Sequence, residues 1–246
     1  MGMARETGVA SRMFRALANQ DINLQMITTS EIKISVLVDR DQSLQALRTV
    51  HHEFRLDEGI TETDDHDYQP DSKNKIDALE VIQRLQKLGM ESLMIDDIQM
   101  DDRQSRVTLR GVPNKPGIAA AVFERIAAEG IFVDMIVQSY SRDKLADISF
   151  TVPRDQLDAS VEAAEKIRRD FNCAYVSYKK VIAKLTVSGI GLRSHTGVAI
   201  GMFKALADAK INVEMINTSE VRVNVVVDGD VGQRGLDCLR MQFNKA

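Results

Sequence analysis

Three times along the chain a glycine stands in a polar loop just ahead of a helix with an apolar stripe, at Gly8, Gly117 and Gly197. A helix N-terminus carries backbone N–H groups without partners and the positive end of the helix dipole, so it attracts carboxylates. Without a Cβ, the glycine lets a ligand come close to the backbone. A short strand after the helix then supplies an acid, Asp134 in one case and Glu214 in another. An anion-binding helix end and a nearby carboxylate suit the two poles of a zwitterionic amino acid. On the residues alone, the same pattern also fits an ordinary loop followed by a surface acid.

Other chemistry finds less support. Gly189-Ile190-Gly191 lies between a strand and a helix, but the sixth position of a dinucleotide fingerprint is Ser194 and Gly197 comes too late. The strand holding Glu214 also runs into another strand without a crossover helix, against a Rossmann unit. No GxxxxGK[ST] phosphate loop occurs. His51, His52, His66 and His195 show no metal-ligand spacing, and His195 reads as a cap or loop residue at a helix entrance. No metal site and no nucleophile–base pair follow from the spacing. Cys173 and Cys238 stand apart and read as reduced thiols of a cytoplasmic protein. A net charge of −4, without a basic cluster, gives nucleic-acid binding no electrostatic support. No apolar run approaches the roughly 18 to 20 residues that cross a bilayer. The first residues lack the apolar core of a signal peptide, and Glu6 breaks the myristoylation pattern that Gly2 begins.

The elements that position these residues are set by a repeat. Shifted by 189 positions, Thr7 to Asp39 falls without a gap on Thr196 to Asp228, with 19 identities in 33 positions. A weaker copy lies between them at an offset of 80, where Gly117, Phe123 and Ile131 fall on Gly197, Phe203 and Ile211. In that copy Val133-Asp134-Met135-Ile136 falls on Val213-Glu214-Met215-Ile216.

Each copy reads as strand, glycine loop and helix, short strand, alternating strand, helix. Leading strands are predicted at Arg106 to Arg110 and Ala183 to Val187. Val198, Met202, Phe203 and Leu206 form a helical stripe, and Val221 to Val225 alternates as a strand with one wet face. The fold class is α+β: tandem ferredoxin-like βαββαβ modules, antiparallel sheets with helices on one face. Modules of this size are small for a single core, so packing between them is expected.

The predicted boundaries are 1–57 for a module that lacks its leading strand, 58–75 for an acidic linker, 76–183 for the middle module and 184–246 for the last. A helix marked by Ile76, Leu79, Ile82, Leu85 and Leu88 and a strand over Ser92 to Gln99 precede the middle copy. Since the first copy begins inside its leading strand, Met1 reads as an artificial or mis-called start.

Two segments carry a family signature. Arg110-Gly111-Val112-Pro113 with Pro116-Gly117-Ile118-Ala119, and then Val133 to Gln138, resembles the first ACT domain of an aspartate kinase. Gly189 to Gly191, Ser194 to Ala199 and Ile211 to Glu220 resemble the second. The similarity covers Ile76 to Phe243, and Met1 to Asp57 repeats the second-domain pattern.

The resemblance implies that the 92–99 strand completes the sheet of the last domain. It implies an effector, L-lysine or L-threonine, held between the first ACT domain of one chain and the second of a homodimer partner. The matching positions on one side are Asn114, Lys115, Pro116, Gly117, Ile118, Ala119, Phe132, Val133, Asp134 and Gln138. On the other they are Val198, Ala199, Asn212, Val213, Ser219 and Glu220. Many relatives have Asp where this chain has Asn114, so the resemblance does not choose between the two amino acids. It also implies a cytoplasmic regulatory region without a cofactor of its own and inactive alone. ATP and Mg would belong to a kinase domain in cis or to a catalytic subunit in trans. The alternatives are a free-standing regulatory subunit and an oligomerisation module of another amino-acid enzyme.

Overall fold

The computed structural model describes residues 8–30, 33–56, 94–140, 144–190, 192, 196–219 and 221–243. The first module contributes α1 (Val9–Ala18), β1 (Met26–Ser30), β2 (Lys33–Leu37) and α2 (Ser43–Glu53). The middle one contributes α3 (Ile118–Ala128), β4 (Ile136–Tyr140), β5 (Leu145–Pro153) and α4 (Leu157–Phe171). The last contributes α5 (Thr196–Asp208), β7 (Met215–Thr218), β8 (Arg222–Asp228) and α6 (Gly232–Gln242). Two long strands, β3 (Met94–Pro113) and β6 (Tyr175–Ile190), run through both of these modules. Among the described residues one antiparallel sheet results, in the order β2-β1-β4-β5-β3-β6-β8-β7. This is the tandem ferredoxin-like plan.

The long strands differ from the separate short ones that the sequence suggests. The second half of β3, Gln104 to Pro113, pairs with β5, while its first half, Met94 to Asp101, pairs with Lys184 to Ile190 of β6. The sheet of the last module therefore takes its outer strand from residues that precede the middle one. The 183/184 boundary falls inside β6, which pairs with β8 from Ile182 onward. Register shifts near Asp101 and Gln104 mark where β3, paired with β6 on both sides of this point, begins to pair with β5 as well. The expected 58–75 linker and the helix over Ile76 to Leu88 lie outside the described residues.

The first two modules share one core. Phe14, Leu17, Ile22, Leu24 and Ile27 are buried together with Phe123, Ile126, Ile136 and Phe150. The Phe14 and Phe123 rings lie 5.8 Å apart, and Phe150 meets Phe123 edge-on at 6.0 Å. β1 pairs with β4 through Ile27↔Gln138 and Thr28↔Val137, and Arg15 on α1 bonds Glu124 on α3 at 2.5 Å. The last module has its own core around Leu185, Met202, Leu206, Val225 and Leu239.

Equivalent strands of the first and last modules differ in how they are covered. β8 lies between β7 and β6 and is buried from Val223 to Val227, whereas among the described residues β2 pairs with β1 alone and leaves Lys33 and Leu37 exposed. Backbone groups on an unpaired edge bond only water and open more readily. Hydrogen exchange is therefore expected to be about tenfold or more faster in Lys33–Leu37 than in Arg222–Asp228. Equal protection would mean that another strand covers β2.

Candidate effector site

β3 ends in a bulge. Gly111 takes a φ of +65°, and a Cβ there would come within 2.9 Å of the Ala174 Cβ. Beyond it the chain turns through Asn114, whose N–H bonds the Lys144 carbonyl at 3.0 Å, and reaches Gly117. Gly117 precedes α3 in the left-handed region, φ +84°, with no side-chain cap on the helix. The Ile118 N–H bonds the Lys115 carbonyl at 3.3 Å, and the N–H groups of Ala119 and Ala120 have no acceptor within the helix itself.

These groups sit at a narrow cleft between the first and middle modules. Phe14, Ile22, Asn23 and Leu24 form one wall. The other is built by Val112 to Lys115, Gly117 to Ala120, Gln138, Ala146 and Ile148. Asn23 Nδ2 donates to Asn114 Oδ1 at 3.1 Å, tying the two walls together. Gln138 is 3% exposed, and its Nε2 donates to the Leu24 carbonyl at 2.8 Å. Its Oε1 is buried and has no hydrogen-bond partner among the described residues. Because Leu24 O can only accept, the amide nitrogen must face it, which leaves the oxygen as the orphan. A buried acceptor without a donor costs about 1–3 kcal/mol, so one beside an uncapped helix end calls for an explanation.

The two halves of this interface are related by the repeat but are not alike. The position equivalent to Gln138 in the first module is Thr29, and its hydroxyl already accepts from the Ile136 N–H at 2.9 Å.

Of the residues expected on the first side, the structure brings together Asn114, Lys115, Gly117, Ile118, Ala119 and Gln138. Pro116 is exposed beside them. Phe132 is 37% exposed, with its N–H bonded to Gln156, and Val133 packs on the shared core. Asp134 is engaged elsewhere: Lys184 lies 2.5 Å and Gln104 2.8 Å from its Oδ2. Glu214, its equivalent, bonds Arg106 and Lys179, each at 2.6 Å. Lys179 also pairs with Asp228; these hydrogen bonds raise its pKa, and the one to Lys179 lowers that of Asp228. Both acids thus reach across the β3–β6 crossing and tie the middle module to the last. Asp134, expected at the effector's ammonium, does not line the cleft in this structure.

The other expected side also stands apart from the cleft. Val198 is buried in the core of the last module, Ala199 and Val213 are half-buried, and Asn212 is exposed. The Ser219 N–H closes a turn onto the Arg222 carbonyl at 2.8 Å. Glu220 lies outside the described residues. In their place the first module supplies Asn23 and Leu24, the positions that the 189-residue offset maps onto Asn212 and Val213. In this structure the wall that faces Asn114 and Gln138 is built by the first module of the same chain.

The description of the ACT domain family matches residues 1–54, 107–167 and 185–243. The chain belongs to the ACT domain family, and its matched segments are the three modules described above. It is a regulatory ACT region of the aspartate kinase kind. An aspartate kinase of Pseudomonas putida is 40% identical over 156 residues, which are 63% of this chain and 38% of the relative. The chain thus spans little more than a third of that relative's length. The aspartate kinase of Synechocystis superposes with a TM-score of 0.80 at 30% identity, over 99% of this chain and 38% of the other. The regulatory subunit of aspartate kinase from Thermus flavus matches with a TM-score of 0.58 at 33% identity, over 61% of this chain and 98% of its own. Among the described residues no helix is long and apolar enough to cross a membrane.

Proposed function

We propose that the chain senses lysine or threonine in the cleft between its first and middle modules and so feeds back on an aspartate kinase domain, joined in cis or met in trans. The orphaned Gln138 Oε1 carries the reading, because it is an acceptor placed for an ammonium beside a helix end placed for a carboxylate. The α-carboxylate takes the N–H groups of Ala119 and Ala120, and the ammonium takes Gln138 Oε1. The ligand's side chain then lies toward Asn23 and Asn114, whose mutual bond opens to admit it. Relatives that are aspartate kinases support an effector from the amino acids made from aspartate. The residues of the chain itself supply binding and no phosphoryl transfer.

Titration calorimetry with lysine, threonine and leucine as control tests this. One amino acid of the first two is expected to bind and leucine is not. Gln138→Ala should weaken binding about tenfold or more, as for a lost hydrogen bond to a charged group worth about 1.5–3 kcal/mol. Binding of neither amino acid, or an affinity unchanged in Gln138→Ala, would remove the site.

A further inference from the structure

β1 meets both of the other modules. It pairs with β4 of the middle one and also touches β7 of the last. In the β1–β4 pairing Ile27 stands opposite Gln138, and both side chains lie on the side of the shared core and the cleft. Side chains alternate along a strand, so the next pair, Thr28 opposite Val137, points to the other face. There Val137 packs with Met135, Ile182, Met215 and Val226, and Thr28 reaches Asn217 on β7.

Asn217 is 2% exposed, and its Nδ2 lies 3.4 Å from Thr28 Oγ1, long for a hydrogen bond. Its Oδ1 is buried and has no partner among the described residues. The Thr28 hydroxyl can donate or accept, so whichever way round the amide lies, one of its polar atoms is left over. A buried amide so poorly satisfied gains from any small shift of β1 that closes the gap. The repeat makes Thr28, Val137 and Asn217 equivalent, so an amide at this place belongs to the last module alone.

We propose that Asn217 is a positioning residue through which the last module reads the state of the cleft. The regulatory meaning rests on the effector reading above. A ligand that opens the Asn23–Asn114 bond frees the first module to shift against the middle one. β1 carries that shift from Ile27, beside Gln138, to Thr28, its neighbour on the opposite face, and Thr28 closes on Asn217. A filled cleft thus tightens β1 on β7 and protects the last module's strand. By linkage, losing the contact should also weaken ligand binding, by about threefold.

Hydrogen exchange of the full chain, with and without lysine or threonine, is compared for wild type, Asn217→Val and Asn217→Thr. Valine and threonine are the residues of the other two modules at this place, and both suit a strand. The amino acid that binds should slow exchange in Met215–Thr218 about threefold or more in wild type and in Asn217→Thr, whose hydroxyl still pairs with Thr28. In Asn217→Val the cleft should still be protected while Met215–Thr218 no longer responds. Asn114→Ala breaks the bond to Asn23 without a ligand and tests the relay separately. It should change exchange in Met215–Thr218 in wild type and not in the Asn217→Val background. If neither amino acid protects the cleft, the effector reading fails and the Asn114→Ala arm decides the relay. A response that survives Asn217→Val, or none in wild type to a bound amino acid or to Asn114→Ala, would overturn the proposal.

Discussion

Phe14→Ala is expected to lower stability by about 3–5 kcal/mol, the range for removing a buried aromatic ring. Phe14 is 1% exposed, packs on Phe123 and also forms part of the cleft wall. Its loss opens a void between the first two modules, so binding in the cleft should fall with stability. Phe203→Ala provides the contrast. The residue is the same and so is its place in the repeat, but the ring is half-buried, so about 1–2 kcal/mol is expected. Urea unfolding of both variants measures the difference. Equal losses would show that the first module is not docked on the middle one, or that Phe203 is covered in solution.

The second large effect belongs to Asp134. The side chains of Asp134 and Lys184 are only 16% and 13% exposed, so Asp134→Ala strands a lysine in a poorly hydrated place. Leaving one partner of a buried pair uncompensated costs about 3–5 kcal/mol, and partial exposure brings the expectation to about 2–4. Because the carboxylate bonds Lys184 and Gln104 and does not line the cleft, effector affinity should change by less than about threefold in folded protein. Lys184→Met with Asp134→Leu should recover much of the stability, because an apolar pair of similar size needs no counter-ion. A tenfold loss of affinity in Asp134→Ala with unchanged stability would return Asp134 to the ligand.

These two residues also show how far the sequence could be read. The three modules, their helices and the glycine loop at Gly117 were legible, because each is local: a period, a turn, a helix start. The offset between copies even placed Asn23 and Leu24 as equivalents of Asn212 and Val213. Strand continuity was not legible, since the polar run Asp101-Asp102-Arg103 looks like a break. It is a bulged stretch of one strand, with Asp101 and Gln104 on either side of it both paired to β6. The role of Asp134 was hidden for a related reason. Only the fold brings Lys184 to it from 50 positions away, so the acid stood in the sequence as a free charge near a presumed ligand. The resemblance put the last module of a partner chain opposite Gln138, whereas in this structure the first module, a related copy, stands there.

The central claim is that one chain builds the whole cleft, with Asn23 and Leu24 facing Asn114, Gly117 and Gln138. Binding of lysine and threonine measured at protein concentrations far below and far above any self-association, with the mass followed by light scattering, tests it most directly. The same affinity and one ligand per monomer are expected at every concentration. Binding that appears only as dimer forms, with a stoichiometry tied to the dimer, would place the second wall on a partner chain and contradict the account.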